Sequence, residues 1–225
     1  MIICMRKKFA AGSAGREEEK RGFTLTEIAI VLGIIGLILG AIWVAAAAVY
    51  NNLRTSRATT ELLTIAQNVR AMYATSAVVD LNANMAAVPF NAQAAGVATT
   101  YVQAGVFPND MVSGVAGGPY SVQNPWGGSV NVVATQHIVA SDSFAVEFDG
   151  VPQAACISLL TANTGNGRDS GLYEAKATAG SGLSIAANAA LAATVFPVGA
   201  ATAQALCTGV AAAGNNVSFA FKLKG

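Results

Sequence analysis

The chain has 225 residues, with 13 lysines and arginines balancing 12 aspartates and glutamates, and one histidine, His137. A charge balance this even excludes the basic stripe with which a nucleic-acid binder meets phosphates. A single histidine argues against Ser-His-Asp, Cys-His or multi-histidine metal chemistry. Charged residues make up only 11%, less than half the ordinary share of about 25%. Of the apolar content, 46 residues are alanine, so much of it is small side chain rather than bulky core. A surface so poor in charge points to burial against a membrane or against other subunits.

Residues 1–22 hold six basic and three acidic side chains, and the remaining chain holds seven and nine. From Ile28 to Val49 run 22 residues without a charge, which as a helix would span roughly 33 Å, enough to cross a hydrocarbon core of about 30 Å. The basic segment in front predicts a cytoplasmic amino terminus with the rest facing outward; Arg54 and Arg57 oppose this only weakly. No proline occurs before Pro89, and Ala58, Leu62, Ile65, Val69 and Met72 continue at helical spacing. One helix from about Thr24 to Ala74 is predicted, apolar all round in its first half and amphipathic in its second. Arg54, Arg57, Glu61, Asn68 and Arg70 take the polar directions.

Residues 76–128 read as a long irregular connection, with turn signals at 117–119 and 124–128. Alternation then predicts strands around Val130, Val132 and Ala134, around Phe144, Val146 and Phe148, and around Val217, Phe219, Phe221 and Leu223, with Ser218, Lys222 and Lys224 facing water. A short helix is expected at 152–162, with Pro152 near its first turn. The alanine-rich stretch 185–206 reads equally as helix or as a small-residue surface, interrupted by Pro197. The predicted class is therefore α+β: a long N-terminal helix packed on a small antiparallel sheet head.

The junction KRGFTLTEIAIVLGIIG (residues 20–36) does not look like an ordinary secretory signal, which is cut after its apolar stretch at a small-x-small site. A basic leader ends in Gly22, followed by Phe23, then a lone Glu27 ahead of the apolar run. This resembles the type IV prepilin signal. The resemblance implies cleavage between Gly22 and Phe23 by a membrane aspartyl peptidase, N-methylation of Phe23, and retention of the apolar helix. It also implies that Glu27 pairs with the cationic amine of Phe23, usually that of a neighbouring subunit. An interfacial acid helped by the helix macrodipole is the plainer alternative. Gly33, Gly36 and Gly40 form a small-residue seam. Known pilin filaments often lose helicity here, and glycine eases that by roughly 1 kcal/mol relative to alanine. Val44 stands where the type IVa branch commonly has proline, so any such flexibility rests on Gly36 and Gly40.

Cleavage after Gly22 would remove Cys4 and leave Cys156 and Cys207 in an oxidising compartment, where a disulfide is the default. Two inert thiols and a two-cysteine metal site are the lesser alternatives. The resulting pattern resembles the disulfide-bounded region of pilins. The 22-residue leader and the 203 residues after it favour the type IVb branch, similar to pilins of conjugative-plasmid thin pili and enteric adhesive pili.

The organisation expected is a leader at 1–22, a transmembrane or filament-core half-helix at 23–50, and a periplasmic head at 51–225. The chain is expected to be a major structural subunit and not an enzyme, with no catalytic residues, cofactor or metal. Its expected partners are copies of itself in a helical filament, the prepilin peptidase, the assembly platform with its ATPase, and the inner membrane before assembly. Its expected location is the bacterial inner membrane as a single-pass precursor, then an extracellular pilus for adhesion, aggregation or mating contact. The alternatives are a minor pilin or a type II secretion pseudopilin, and a secreted binding protein cut near Ala48. GNGRDSG (165–171) reads as a solvated turn, Asp142, Glu147 and Asp149 as solvent-facing charges, and His137 has no evident partner.

Overall fold

The computed structural model describes residues 23–76, 101–114, 120–180, 194–209 and 214–224. The chain divides into two compact units, Met1–Ala46 and Ala47–Gly225. Helix α1 (Leu25–Met72) begins in the first and ends in the second. Within the first unit every described residue is exposed, including Ile28, Val31, Leu32, Ile34, Leu37 and Val44, which point in all directions around the helix. Such a surface has no folding role in a single copy of the chain.

In the second unit α1 turns one face inward. Ala58, Leu62, Ile65 and Val69 are buried at 0–1% exposure, at the spacing the sequence predicts. Burying each of the three larger side chains stabilises the fold by about 1.5–3 kcal/mol. The seam departs from expectation at two places. Met72 is 42% exposed and Tyr73 takes the last inward position, four residues after Val69, whose carbonyl accepts the Tyr73 amide at 3.1 Å and so carries the helical register one residue past the end of α1. Glu61, expected among the outward polar residues, is only 4% exposed.

The segment expected to be irregular carries a two-stranded ribbon, β1 (Val112–Ser113) with β2 (Ser121–Val122). The turn signal at 117–119 lies outside the described residues. The one at 124–128 is a tight loop. Its Asn124 Oδ1 accepts the amides of Trp126 and Gly128 at 2.9 and 3.1 Å, and its Nδ2 donates to the Asp149 carbonyl at 2.6 Å. A Cβ at Gly128 would collide with that carbonyl.

The main sheet contains β3 (Val130–Thr135), β4 (Ser143–Val151), β5 (Leu172–Ala179) and β6 (Asn215–Lys222), in the order β3-β4-β6-β5, antiparallel throughout. Helices α2 (Gln153–Thr164) and α3 (Ala200–Leu206) lie in the connections on either side of β5. The α3 helix answers the open question for the described part of the alanine-rich stretch; residues 185–193 lie outside it. Three strands match the alternation. The fourth, β5, was not expected: its inward residues include two alanines, which have weak strand preference. A register shift between Leu172 and Glu174 also breaks its period of two.

One face of the sheet, with Val130, Val132, Phe144, Val146, Phe148, Val217, Phe219 and Phe221, belongs to a single buried cluster with the α1 seam and the inner faces of α2 and α3. The opposite face is closed to solvent as well. Asn131, Glu147 and Ser218 are neighbours across β3, β4 and β6, and they are 0%, 1% and 3% exposed. Glu147 and Ser218 therefore do not face water as their alternation suggested. Their strands point them away from the aromatic core as expected, into a second buried layer.

Candidate functional site

The α1 start is organised by its own residues. Thr24 Oγ1 accepts the Glu27 backbone amide at 3.3 Å, and the Thr24 carbonyl accepts the same amide at 3.0 Å. The Thr-x-x-Glu spacing is that of a capping box, in which a hydroxyl before the helix satisfies an amide of the first turn. The Thr24–Glu27 spacing is readable in the sequence itself. The cap sets Glu27 in the first turn, next to the positive end of the macrodipole. Phe23 immediately precedes the cap and is 77% exposed. Gly22, the expected cleavage residue, lies outside the described residues. Gly36 and Gly40 are α-helical in the single chain, and a Cβ at either would meet nothing within 4 Å.

Cys156 and Cys207 are joined in a disulfide, with Cα atoms 6.0 Å apart and both residues 0% exposed. Cys156 sits in the first half of α2, and Cys207 caps the carboxyl end of α3 by donating its amide to the Ala203 carbonyl. The bond thus clamps the two helices that flank β5 and closes a separation of 51 residues.

Two charge clusters tie α1 to distant segments. Arg57 donates to Glu61 Oε1 at 2.9 Å and to Asp110 Oδ2 at 2.7 Å, so one guanidinium serves two carboxylates. The Glu61 Oε2 atom is buried without a hydrogen-bond partner among the described residues. Loss of hydration pushes the Glu61 carboxyl up to about 7, against the opposing pull of Arg57. Beside this cluster opens a cavity of about 330 Å³, lined also by Met111, Gln123 and Pro125. The Arg57–Glu61 spacing of four residues was visible in the sequence, but Asp110 lies 53 residues away and was not.

At the other end of the amphipathic half, Arg70 grips Asp169 through two hydrogen bonds and donates Nε to the Lys222 carbonyl. The Arg70 guanidinium holds the Asp169 carboxyl below its usual range. GNGRDSG is therefore an anchored turn through Asp169. Asp142 accepts the amides of His137, Ile138 and Val139 at 2.7–2.9 Å. It shapes the β3–β4 turn instead of facing solvent, and the His137 ring packs edge-on against Tyr173. Among the described residues no group of three or more His, Cys, Asp and Glu side chains could hold a metal ion. What these elements offer is structural chemistry: a capped acid, an apolar helix exposed all round, and a cross-linked head.

Residues 52–221 match the family model described as PilS N terminal, and residues 19–43 match the prokaryotic N-terminal methylation motif. No curated protein matches the chain. Among solved structures, the type IVb pilin of Salmonella typhi is 22% identical, with 72% of this chain and 95% of that chain covered and a TM-score of 0.44. TcpA, a type IV pilin from Vibrio cholerae El Tor biotype, is 17% identical, with 75% and 98% covered and a TM-score of 0.47. The chain belongs to the PilS N-terminal family and is a type IV pilin-like protein that carries the prokaryotic N-terminal methylation motif.

Proposed function

We propose that the chain is the major structural subunit of a type IVb pilus, cut after Gly22, methylated at Phe23 and polymerised through its N-terminal helix into an extracellular filament. The observation that carries this reading is the charge-free run Ile28–Val49, exposed all round and preceded by a capped Glu27. An apolar helix with no partner among the described residues finds one first in lipid and then in the same helix of other subunits. In a dry filament core an unpaired Glu27 would be costly, so pairing with the Phe23 amine of a neighbour also sets axial register. Glycines at 36 and 40 lower the cost of local extension on packing. The prepilin peptidase, the assembly platform and its ATPase are the machinery this route requires. Filaments so built would serve adhesion, aggregation or conjugative contact. No step in this role is catalytic.

Intact mass and N-terminal sequencing of the unreduced mature protein test the reading. The expected product begins at methylated Phe23 and is two hydrogens lighter for the Cys156–Cys207 bond. A product beginning near Val49 would overturn it, since the polymerising helix would be gone. Copy number in sheared filaments then separates a major subunit from a minor pilin or a pseudopilin.

A further inference from the structure

The first two arginines after the charge-free run are held differently. Arg57 is engaged by Glu61 and Asp110. Arg54 takes part in none of the ion pairs among the described residues. Its guanidinium donates to Tyr50 Oη at 3.0 Å and lies 4.3 Å from the centroid of the Tyr50 ring. That tyrosine, one turn back on α1, is 57% exposed. A guanidinium carries five N–H donors, so Arg54 keeps its full charge and most of its fork unfilled.

A tryptophan from a distant segment stands at the same level. Trp126 belongs to the tight loop that Asn124 shapes, and it lines a cleft of about 100 Å³ with Asn51, Asn52, Thr55 and Pro152. Asn51, Asn52 and Thr55 bracket Arg54 on α1. The end of the head where α1 enters it therefore carries a half-buried tryptophan, an exposed tyrosine and an arginine outside any described ion pair. These are side chains with an apolar body and a polar tip, the kind that settles where hydrocarbon meets headgroups.

The depth matches. Hydrocarbon occupies about 30 Å of a bilayer about 40–45 Å thick, which leaves roughly 5–8 Å of headgroup region on each side. Arg54 lies five residues beyond Val49, the last residue of the run, and that is about 7.5 Å of helix. A bilayer filled by the run has its phosphates at the level of Arg54.

We propose that this end of the head is a lipid-docking surface, in which Arg54 holds a phospholipid phosphate while Tyr50 and Trp126 seat in the headgroups of the outward-facing leaflet. The inference rests on the membrane stage of the reading above and names the lipid group that the head meets there. Two parallel N–H···O bonds to a phosphate suit the planar guanidinium, and the Tyr50 ring fixes that plane in advance. An arginine on the outward side, against the charge bias of the leader, gains its counter-charge from the membrane. The contact holds the stored subunit at one depth and is given up when the helix leaves for a filament.

Trp43 and Trp126 are the two tryptophans of the chain, and they separate the proposal from the reading beneath it. The full-length chain is reconstituted in vesicles of phosphatidylethanolamine and phosphatidylglycerol, with added phosphatidylcholine spin-labelled on either the headgroup or the acyl chain. With Trp43→Phe, the fluorescence of Trp126 is expected to fall by at least half with the headgroup label and by much less with the acyl label. Adding Arg54→Glu is expected to weaken the headgroup quenching at least twofold. Trp126 left unquenched by the headgroup label, or quenched equally with Arg54→Glu, overturns the proposal. Quenching that disappears as total lipid is raised at fixed protein assigns the surface to a second copy of the chain and overturns it too. With Trp126→Phe instead, Trp43 is expected to be quenched by the acyl label. If Trp43 is quenched, a negative result at Trp126 counts against the proposal alone; if it is not, the run is outside the bilayer and the membrane reading falls with the proposal.

Discussion

Arg70 on α1 and Asp169 on the turn before β5 face each other through two parallel hydrogen bonds, Nη1 to Oδ2 at 2.7 Å and Nη2 to Oδ1 at 2.8 Å. The side chains are 24% and 21% exposed, and 99 residues separate them. A two-pronged pair at this burial lies between a surface ion pair and a fully buried one. Arg70→Ala is expected to cost about 2–3 kcal/mol of head stability, because it strands Asp169 and frees the Lys222 carbonyl. Arg70→Lys should recover less than half, since an ammonium cannot reproduce the planar fork. Gly171→Ala should act like a weaker Arg70→Ala, because its Cβ would overlap the guanidinium. Urea unfolding of the detergent-solubilised chain, followed by near-ultraviolet circular dichroism, reads all three. Asp169 is held below its unfolded value, so its stabilisation is full above about pH 4 and fades as pH falls through the lowered folded value.

Glu61 gives the opposite pH dependence. Its carboxyl rises from 4.5 in the unfolded chain to about 7 in the fold. The native state thus holds a proton that the unfolded state has already released, and the linked stabilisation is full below 4.5 and lost as pH rises through 7. In monomeric protein, Glu61→Gln should remove this loss, leaving stability at pH 8 closer to that at pH 5 than in the wild type. Urea midpoints at the two pH values provide the check. A wild-type chain no less stable at pH 8 than at pH 5 would mean that Arg57 compensates fully for burial.

The inward seam of α1 was legible because Ala58, Leu62, Ile65 and Val69 obey a period that sequence alone displays. The Thr24 cap was equally legible. Glu61 was not, because a carboxylate on a helix reads as outward until the segment carrying Asp110 folds over it. Glu147 misled for a related reason. Alternation fixes which side of a strand a residue takes, but a sheet covered on both faces has no wet side. Small, nearly featureless inward residues and a register shift hid β5. Arg70 and Asp169 show the general limit: charge partners 99 residues apart leave no periodic trace.

The Cys156–Cys207 bond should matter for the head more than for the helix. Closing 51 residues corresponds to about 4 kcal/mol in the chain-entropy model, an upper figure for real proteins. Reduction, or Cys156→Ala with Cys207→Ala, is therefore expected to lower head stability by about 2–4 kcal/mol and to loosen α3 first. That helix has seven residues and only Ala203 buried within it. Hydrogen exchange before and after reduction would locate the effect. Unchanged protection of 200–206 would show that packing of Ala203 alone holds α3 in place.

Capping and charge at Glu27 can be separated experimentally. Its backbone amide serves the Thr24 cap, a contribution that any residue at position 27 retains. Its carboxylate serves the proposed pair with the Phe23 amine of a neighbour. An acid entering a bilayer costs up to about 2.5–3.5 kcal/mol at a helix centre and less near an end, so Glu27→Ala should insert at least as readily as the wild type. The head should still form its disulfide, yet filament yield is expected to fall at least tenfold. Glu27→Gln keeps the size and loses the charge, and should fail similarly; Glu27→Asp should assemble in part. Thr24→Ala loses the cap, about 1 kcal/mol at a helix end, and should lower yield far less. Counting sheared filaments against membrane-held subunit separates the cases. Abundant filaments from Glu27→Ala would remove the charge pair from the mechanism, and equal losses from Thr24→Ala and Glu27→Gln would assign the requirement to the integrity of the first helical turn.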